Sequence, residues 1–281
     1  MILTFTKMHS CGNDYLYFDV RRAPVPAPES LARALCPRRF AVGADGIVLI
    51  GASDTADASM RIFNADGSEA SMCGNAVRCV GAYLAAHGAE GADTLTVMTA
   101  AGPRRLQLHR SGNAVTRVTA DMGRAEFAPD RIPVRSDDGT LPLSYGGRIW
   151  IATCVSVGNP HAVLFTEQPE TLPLPALGQQ LGSDPRFPCG VNLEFVRILD
   201  RNRLQMRVWE RGSGETSACG TGACAAAAVA VHHGAADRST PITVCLPGGE
   251  LTVVCDSDDR LTLSGETVTV CEGRVSCADP C

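Results

Sequence analysis

Hydrophobic and polar positions alternate along much of the chain, which is the pattern of half-buried β-strands. In the first half, runs with this alternation end in Gly, Asn, Asp or Pro residues, which favour turns. These runs lie at residues 2–8, 14–20, 58–69, 93–110 and 114–123. Two segments have helical spacing instead, a Pro-flanked segment at 28–36 and a segment that starts at Cys73. The first half is therefore predicted to form a sheet with two helices.

The second half repeats this order of elements. Its strand-like segments lie at residues 147–165, 191–199, 203–215 and 241–255, and its helical segments lie around 174–182 and after Cys219. A last strand-like segment, 260–277, is expected to return to the first half and to complete its sheet.

Repeated motifs in the two halves have one common separation. The motif ExSxCG begins at Glu69 and again at Glu215, which are 146 residues apart. Two Gly-Asn steps, at Gly12 and Gly158, are also 146 residues apart. A shared separation in independent motifs indicates an internal duplication.

The duplication predicts a mixed α/β (α+β) fold of two pseudo-symmetric lobes. The N-terminal lobe is expected to contain residues 1–121 and to be completed by residues 268–281. The C-terminal lobe is expected to contain residues 122–267.

The composition excludes several classes of protein. With 45% hydrophobic and 20% charged residues, the chain has the composition of a soluble globular protein and not of a disordered or fibrous one. A formal net charge of -5 gives no electrostatic support for binding nucleic acid or an anionic membrane. No apolar run approaches the roughly 20 residues that span a bilayer, and the first ten residues do not resemble a secretion signal. We expect a cytoplasmic protein that binds neither nucleic acid nor a membrane.

Thirteen cysteines are many for such a chain, but their number is odd and none are arranged as CxxC. Disulfide frameworks are typical of small secreted domains, and structural zinc sites need paired ligands, so neither is expected. The segment CADPC, which begins at Cys277, lacks a second ligand pair nearby. The cysteines predicted to be buried in apolar or strand-like segments are Cys36, Cys154, Cys245 and Cys255.

Lys7 is the only lysine of the chain. Enzymes that use pyridoxal phosphate need a lysine for the Schiff base, and no phosphate-binding segment surrounds Lys7. We therefore expect chemistry that does not use this cofactor.

A Cys-Gly step opens each of the two repeated helices, at Cys73 and at Cys219. A thiol at a helix N-terminus lies near unpaired backbone N–H groups and the positive end of the helix dipole, and both favour the thiolate. The same N–H groups bind carboxylates. Two such thiols on opposite faces of an amino-acid α-carbon could remove and return its proton without a metal or an organic cofactor. Cys79 and Cys224, further along the same helices, are predicted to be packing residues.

Polar residues precede each of these helices. Asn64 and Glu210 are again 146 residues apart, and Arg211 follows Glu210. Glu210 could hold a substrate ammonium group and Arg211 could bind a second carboxylate, although a surface ion pair between the two is an alternative. His161, in a Gly-Asn-Pro-His segment, is either a turn histidine or a group that tunes a thiol.

Six motifs spread over the chain carry a family resemblance. They are GNDY, NADGSEASMCGNAVRC, GNPHAV, VNLEFV, ERGSGETSACGTGACAA and LPGGEL. Together they resemble the diaminopimelate epimerases, cofactor-independent enzymes of the family that also contains proline racemase. The resemblance implies interconversion of LL- and meso-diaminopimelate, a step toward lysine and, in bacteria, toward peptidoglycan precursors. It also implies that each lobe is a curved, mostly antiparallel sheet wrapped around a central helix, and that the protein is a homodimer.

The resemblance also assigns roles to individual residues. Cys73 and Cys219 are expected to be the acid/base pair, and His161 and Glu210 to modulate the thiols. The residues expected to hold the α-carboxylate are Gly74, Asn75, Gly220 and Thr221. The residues expected to position the rest of the substrate are Asn13, Asn64, Asn159, Asn192, Glu210 and Arg211.

Two positions depart from the family pattern. Gly46 stands where some members have a glutamine that contacts the substrate, so that contact is not expected here. Cys271 stands where an aromatic residue associated with dimer contacts often occurs, which weakens the case for the dimer.

Other functions remain open to the sequence. A related two-cysteine racemase that acts on another amino acid, such as histidine, would keep both cysteines but would not need Arg211. A thiol redox or metal-binding protein fits the cysteine count but not the missing CxxC. A cysteine hydrolase would need a nucleophile, a base and an orienting group, and only the GNPH segment offers an obvious histidine.

Overall fold

The computed structural model of the protein describes residues 2–112 and 114–276. The chain divides into two compact units: unit 1 is Met1–Ala120 together with Gly265–Cys281, and unit 2 is Asp121–Ser264. The lobe boundaries at residues 121 and 267 stay a prediction. Cys277 and Cys281, which begin and end the CADPC segment, lie outside the described residues.

The structure contains the following strands in chain order: β1 Ile2–Ser10, β2 Asn13–Asp19, β3 Gly46–Gly51, β4 Ala58–Asn64, β5 Glu69–Ala70, β6 Thr94–Thr99, β7 Gly102–Ser111, β8 Ala114–Arg124, β9 Thr140–Tyr145, β10 Arg148–Ser156, β11 Pro160–Phe165, β12 Asn192–Asp200, β13 Arg203–Glu210, β14 Gly214–Thr216, β15 Ile242–Leu246, β16 Gly249–Cys255, β17 Arg260–Glu266 and β18 Val268–Ser276. The helices are α1 Pro28–Leu35, α2 Gly74–Ala86, α3 Leu174–Gly182 and α4 Gly220–His232. Short 3-10 helices lie at Pro129–Arg131 and Pro169–Thr171.

Both units have a mostly antiparallel sheet with the same order of pairings. In unit 1 the order is β18-β1-β2-β3-β4-β6-β7-β8, with β5 paired to β4. In unit 2 the order is β9-β10-β11-β12-β13-β15-β16-β17, with β14 paired to β13. The parallel pairings are β2–β3 and β4–β6 in unit 1, and β11–β12 and β13–β15 in unit 2; the others are antiparallel. The last segment does return to the sheet of unit 1, where β18 pairs with β1.

The registers of the central strands, β2 to β5 in unit 1 and β11 to β14 in unit 2, match at the separation of 146. In unit 1 Tyr15 pairs with Gly46 across β2 and β3, and in unit 2 His161 pairs with Asn192 across β11 and β12. Because a slip of one residue would turn every side chain to the other face of a sheet, this match gives corresponding residues the same orientation in both units. The predicted fold of two pseudo-symmetric lobes is confirmed.

A buried helix lies against the sheet of each unit. The helix α2 contacts β1, β2, β6 and β7, and α4 contacts strands β10 to β13, β15 and β16. Every residue of α4 from Gly222 to Val231 is buried. A helix that is apolar on all sides is stable only when neighbouring elements cover it, which explains the alanine-rich sequence after Cys219.

The helices α1 and α3 are amphipathic and each covers one core. Leu31, Ala32 and Leu35 of α1 join a cluster with residues of β1 to β4, and Leu177 and Leu181 of α3 join the corresponding cluster of unit 2. Full burial of a side chain such as leucine contributes about 1.5–3 kcal/mol, so each unit has a core of its own.

Cys36, Cys154, Cys245 and Cys255 are free thiols. Cys36, Cys154 and Cys255 are buried as predicted, but Cys245 is partly exposed, so the prediction for Cys245 was wrong. It lies next to the exposed end of a hairpin and its Sγ donates to Glu250 Oε1 at 3.4 Å. In the described part of the chain no His, Cys, Asp and Glu side chains cluster as metal ligands, and no helix is long and apolar enough to span a membrane.

Candidate active site

Cys73 and Cys219 each occupy the N-cap position of a helix. Cys73 precedes α2 with φ -140° and ψ 120°, and its Sγ accepts a hydrogen bond from the backbone N–H of Ala76 at 3.5 Å. Cys219 precedes α4 with φ -124° and ψ 114°, and its Sγ accepts from the N–H of Gly222 at 3.3 Å. Both Cys-Gly steps therefore open helices, as the sequence predicted.

The first helical turns contain the residues predicted to hold a carboxylate. They are Gly74 and Asn75 in α2, and Gly220 and Thr221 in α4. The N–H groups of a first turn have no carbonyl partner within their own helix, and with the helix dipole they attract an anion. Neither first turn contains an acidic residue that would compete for these groups.

In unit 1 amide side chains surround the Cys73 thiol. Cys73 Sγ donates to Asn13 Oδ1 at 3.6 Å, and Asn75 Nδ2 donates to the same oxygen at 3.2 Å. Asn13 Nδ2 in turn donates to Asp45 Oδ2 at 2.9 Å. Tyr15 also hydrogen-bonds with Asn13 and Cys73, and burial raises the pKa of its hydroxyl well above the ordinary value. The Asp45 carboxylate thus orients the Asn13 amide so that its oxygen faces the thiol.

An ion-pair network anchors Asp45. Arg38 Nη2 lies 2.6 Å from Asp45 Oδ1 and 2.6 Å from Asp14 Oδ1, and Lys7 Nζ lies 3.0 Å from Asp14 Oδ2. Burial alone would raise the pKa of Asp14, but hydrogen bonds from Arg38 and Lys7 outweigh it and hold the pKa below its ordinary value. The single lysine is therefore part of this network in unit 1.

Arg78 of α2 is a fully buried cation, with none of its surface exposed. Its guanidinium donates to the Gly74 carbonyl at 2.8 Å, to Ser10 Oγ at 2.7 Å and to Asn75 Oδ1 at 2.9 Å. These bonds hold the first turn of α2 and the side chain of Asn75 in place. The corresponding residue of α4 is Cys224, so the two units differ here in buried charge.

In unit 2 a chain of hydrogen-bonded side chains leads to Cys219. His161 Nδ1 lies 2.7 Å from Glu194 Oε1, and His161 Nε2 lies 3.0 Å from Asn159 Oδ1. Asn159 Nδ2 donates to Thr221 Oγ1 at 3.5 Å, and Thr221 Oγ1 lies 3.4 Å from Cys219 Sγ. His161 and Glu194 are both completely buried. His161 is thus linked to the thiol through Asn159 and Thr221.

Two carboxylates oppose the ionisation of Cys219. Glu210, the last residue of β13, accepts a hydrogen bond from the Thr216 hydroxyl and also bonds with Cys219, and burial raises the pKa of Glu210. Burial raises the pKa of the Cys219 thiol well above its ordinary value, and the charges of Glu210 and Glu194 raise it further. The prediction that the helix N-terminus makes this thiol acidic is therefore wrong for Cys219, because burial and two carboxylates outweigh the hydrogen bonds from Thr221 and Gly222.

Asn192 and Arg211 are connected through the backbone. Asn192, the first residue of β12, accepts from the N–H of Arg211 at 2.9 Å and donates to the Pro160 carbonyl at 3.1 Å. The Arg211 side chain is exposed, and its Nη1 donates to the Cys189 carbonyl at 2.7 Å. Arg211 thus has a guanidinium at the surface of unit 2, immediately after the last residue of β13.

Asn64 of unit 1 hydrogen-bonds with the turn that follows β4. It is the last residue of β4, and its Nδ2 donates to Ser68 Oγ at 3.0 Å in the turn that follows. Its position corresponds to that of Glu210 at the end of β13. Unit 1 therefore has a neutral amide where unit 2 has a carboxylate.

The structure explains the glycine at position 46. A Cβ atom there would lie 2.3 Å from the carbonyl oxygen of Phe63 and 2.8 Å from Cε1 of Tyr15. Tyr15 thus occupies the space that a longer side chain would need. Cys271, the other departure, is exposed on β18, where it pairs with Lys7 of β1.

Solved structures with the same fold include enzymes that invert amino-acid stereocentres. A hydroxyproline epimerase from Agrobacterium vitis aligns over 98% of this chain and 91% of its own, with a TM-score of 0.72 and 17% identity. A probable proline racemase from Agrobacterium radiobacter K84 aligns over 99% and 93%, with a TM-score of 0.73 and 18% identity. At such low identity these likenesses establish the fold class.

Sequence comparison identifies the family. The profile named "Diaminopimelate epimerase" matches two segments of equal length, residues 5–128 and 153–276. Curated diaminopimelate epimerases from Acetivibrio thermocellus and Desulfovibrio desulfuricans are 43% and 44% identical over 97% of this chain and 98% of their own lengths. One from Methanococcus maripaludis is 41% identical over 97% of this chain and 99% of its own. The chain belongs to the diaminopimelate epimerase family.

Several side chains around the two thiols were not predicted from the sequence. They are Tyr15, Arg38, Asp45, Arg78, Glu194 and Thr216. Glu194 lies in a predicted strand region, where a single polar residue gives no signal of its own, and Asp45 lies in a segment to which the sequence assigned no strand or helix. Comparison of the two repeats would have singled out Glu194, because the corresponding residue in unit 1 is the hydrophobic Val48.

Proposed function

We propose that the protein interconverts LL- and meso-diaminopimelate, with Cys73 and Cys219 as the two groups that exchange a proton with the α-carbon. The observation that carries the proposal is the presence of a cysteine N-cap at corresponding positions of two repeated units, in a chain of the diaminopimelate epimerase family. One repeat supplies one thiol, and inversion of a stereocentre needs one group for each face.

In the proposed reaction, the thiolate of one cysteine takes the α-proton and becomes a thiol. The electron pair left on carbon delocalises into the α-carboxylate. The thiol of the other cysteine then gives its proton to the opposite face of the carbon and becomes a thiolate. Each turnover therefore exchanges the protonation states of the two sulfurs, and no group is consumed.

The amides of the first helical turns are proposed to stabilise the carbanion. The N–H groups of Gly74, Asn75, Gly220 and Thr221 would hold the carboxylate, which gains negative charge as the proton leaves. Fixed donors aimed at developing charge are typically the largest single contribution to such a reaction. Lys7, the only lysine, is paired with Asp14, and we propose that the reaction needs no cofactor.

The second stereocentre of the substrate is proposed to bind through the polar residues at the strand ends. Asn13, Asn64, Asn159 and Asn192 can donate to or accept from an ammonium and a carboxylate, and Glu210 can accept from an ammonium. Arg211, exposed and bonded to one backbone carbonyl, has further N–H groups for the distal carboxylate.

The test is to incubate the purified protein with LL-diaminopimelate in deuterated water and to separate the stereoisomers. Early in the reaction, the meso product should carry deuterium while the remaining LL substrate stays unlabelled, because different sulfurs remove and deliver the proton. Equal early labelling of both isomers would indicate a single base. Histidine and lysine serve as controls, and inversion of either as fast as diaminopimelate would indicate a racemase with a different substrate.

A homodimer and a cytoplasmic location stay predictions. Light scattering coupled to size-exclusion chromatography measures the mass of the particle in solution, and a mass of one chain, about 29.5 kDa, would contradict the dimer. Fractionation of the source cells would test the location.

A further inference from the structure

Glu194 is a buried carboxylate to which the proposed reaction gives no task. None of its surface is exposed, and Oε1 lies 2.7 Å from His161 Nδ1. Oε2 has no hydrogen-bond partner among the described residues. A buried carboxylate is costly unless a donor or a cation compensates it, so the interaction with His161 is the one that keeps this side chain tolerable in the core.

Glu194 and Cys219 both lie next to Gly222 in the first turn of α4. A Cβ atom on Gly222 would lie 2.9 Å from Glu194 Oε1 and 3.3 Å from Cys219 Sγ. Gly222 is also the residue whose N–H donates to the sulfur. The carboxylate therefore lies close to the helix turn that holds the thiol, on the side of His161.

The sheet itself does not require an acid at this position. The corresponding residue of unit 1 is Val48 in β3, which is completely buried, and the residue corresponding to His161 is Tyr15. A valine therefore fits this place in the repeated sheet when no histidine is beside it. We therefore attribute the glutamate in unit 2 to its interaction with His161 and not to the packing of the strand.

We propose that Glu194 is a positioning residue for the Cys219 thiol and that it acts through His161. By accepting the hydrogen bond from Nδ1–H, the carboxylate fixes the orientation of the ring, which places Nε2 against Asn159. Asn159 and Thr221 are then held in contact with the sulfur. The inference rests on the proposed function only for its kinetic consequence, since the contacts themselves lie within unit 2.

The kinetic test uses Glu194→Val, the residue found at the corresponding place in unit 1, and Glu194→Gln. Glu194→Val should lower kcat at least tenfold and leave KM within threefold. Glu194 contacts His161 and lies beside Gly222, and it has no role in the proposed substrate binding. Glu194→Gln has the same size and keeps an acceptor oxygen for Nδ1–H, so its loss should be smaller. Glu167→Gln removes an exposed charge from the same unit and should behave as wild type.

Action through His161 is tested with a double-mutant cycle. In a His161→Leu background, adding Glu194→Val should change kcat by less than threefold, because the ring that Glu194 orients is already absent. Losses that multiply would show that Glu194 acts independently of His161 and would overturn the proposal. Wild-type kcat in Glu194→Val would overturn it as well.

A second measurement needs no substrate. Alkylation by iodoacetamide, followed by peptide mass spectrometry, gives the rate at Cys219 relative to Cys73 in the same sample. Glu194→Val and His161→Leu should change this ratio in the same direction by at least threefold, and the double variant no further. An unchanged ratio in a folded Glu194→Val, or in a folded His161→Leu if the valine variant does not fold, would contradict the proposal. Absence of epimerisation in the wild type would contradict only the proposed function.

Discussion

Two pairs of cysteines in corresponding helices allow the chemistry of a thiol to be separated from its packing. Cys73 and Cys219 are N-caps, whereas Cys79 and Cys224 are fully buried within α2 and α4. We predict that Cys73→Ala and Cys219→Ala each lower kcat by roughly 10²–10⁴, the range of general acid–base catalysis. Each thiol is proposed to exchange a proton with one face of the α-carbon, so neither can replace the other. Separation of the diaminopimelate stereoisomers by chiral chromatography measures the loss.

The control for this prediction is Cys224→Ala, which removes a buried sulfur one to two helical turns after Cys219. It should cost some stability but keep kcat within a few fold of wild type. If Cys224→Ala were folded and inactive while Cys219→Ala stayed active, the assignment of the acid/base pair would be wrong.

Glu210 offers a test of how the Cys219 thiol is kept protonated. After burial, the negative charge of Glu210 is the next cause of the raised pKa of Cys219. Glu210→Gln keeps the shape and removes the charge, so the pKa of Cys219 should fall. Because the thiolate is the form that reacts, alkylation of Cys219 should begin at lower pH in the variant.

The rate at Cys73 in the same sample is the internal control for Glu210→Gln, since Cys73 belongs to the other unit. A Cys219 profile that moves to higher pH would show that the Glu210 hydrogen bond, and not its charge, dominates its effect on the thiol.

At the scale of elements, the helix starts were predictable and the surroundings of the thiols were not. A Cys-Gly step before a run of apolar residues marks a helix N-terminus with local information alone, so α2 and α4 were located correctly. Asp45 and Glu194 act on residues 32 and 33 positions away, and such contacts depend on strand pairing. Burial raises the pKa of Cys219, and the charges of Glu210 and Glu194 raise it further, which is why the expected acidic thiol was wrong there.

The packing of α3 on β13 predicts a difference between two glycines of one helix. A Cβ atom on Gly178 would lie 2.1 Å from Trp209 Cδ2, whereas one on Gly182 would approach no closer than 3.8 Å to that ring. Gly178→Ala should therefore destabilise unit 2 by about 1–3 kcal/mol through overpacking. Gly182→Ala should be neutral or slightly stabilising, because alanine is the better helix former.

The melting temperature, followed by circular dichroism, measures both glycine variants. Equal melting temperatures for Gly178→Ala and wild type would mean that α3 moves away from Trp209 at little cost. The comparison is matched because both substitutions add one methyl group to the same helix.

At the scale of the whole molecule, the two units can be tested separately. Unit 2 is one continuous segment, Asp121–Ser264, with its own core and one of the two candidate thiols. We predict that this segment expressed alone folds, as judged by circular dichroism and a cooperative melting transition, but shows no epimerisation of diaminopimelate. Measurable turnover by the isolated segment would contradict the requirement for both cysteines.

The overall architecture was predictable because the same motifs occur twice in the sequence at one separation. The shared separation of ExSxCG and Gly-Asn motifs predicted two lobes, and the registers of the β2–β3 and β11–β12 pairs match at the same separation. The parallel pairings within each sheet were not predicted, because alternation identifies a strand but does not identify its neighbour.

The matched registers of the two units have a consequence for symmetry. If the enzyme were assembled from two identical copies of one lobe, a two-fold axis would give both thiols the same surroundings. Within one chain, each repeat can acquire substitutions independently of the other. Tyr15 and Val48 in unit 1, which correspond to His161 and Glu194 in unit 2, are two examples. The proposed reaction starts with one protonated and one deprotonated sulfur, and unequal surroundings favour one placement of the proton over the other.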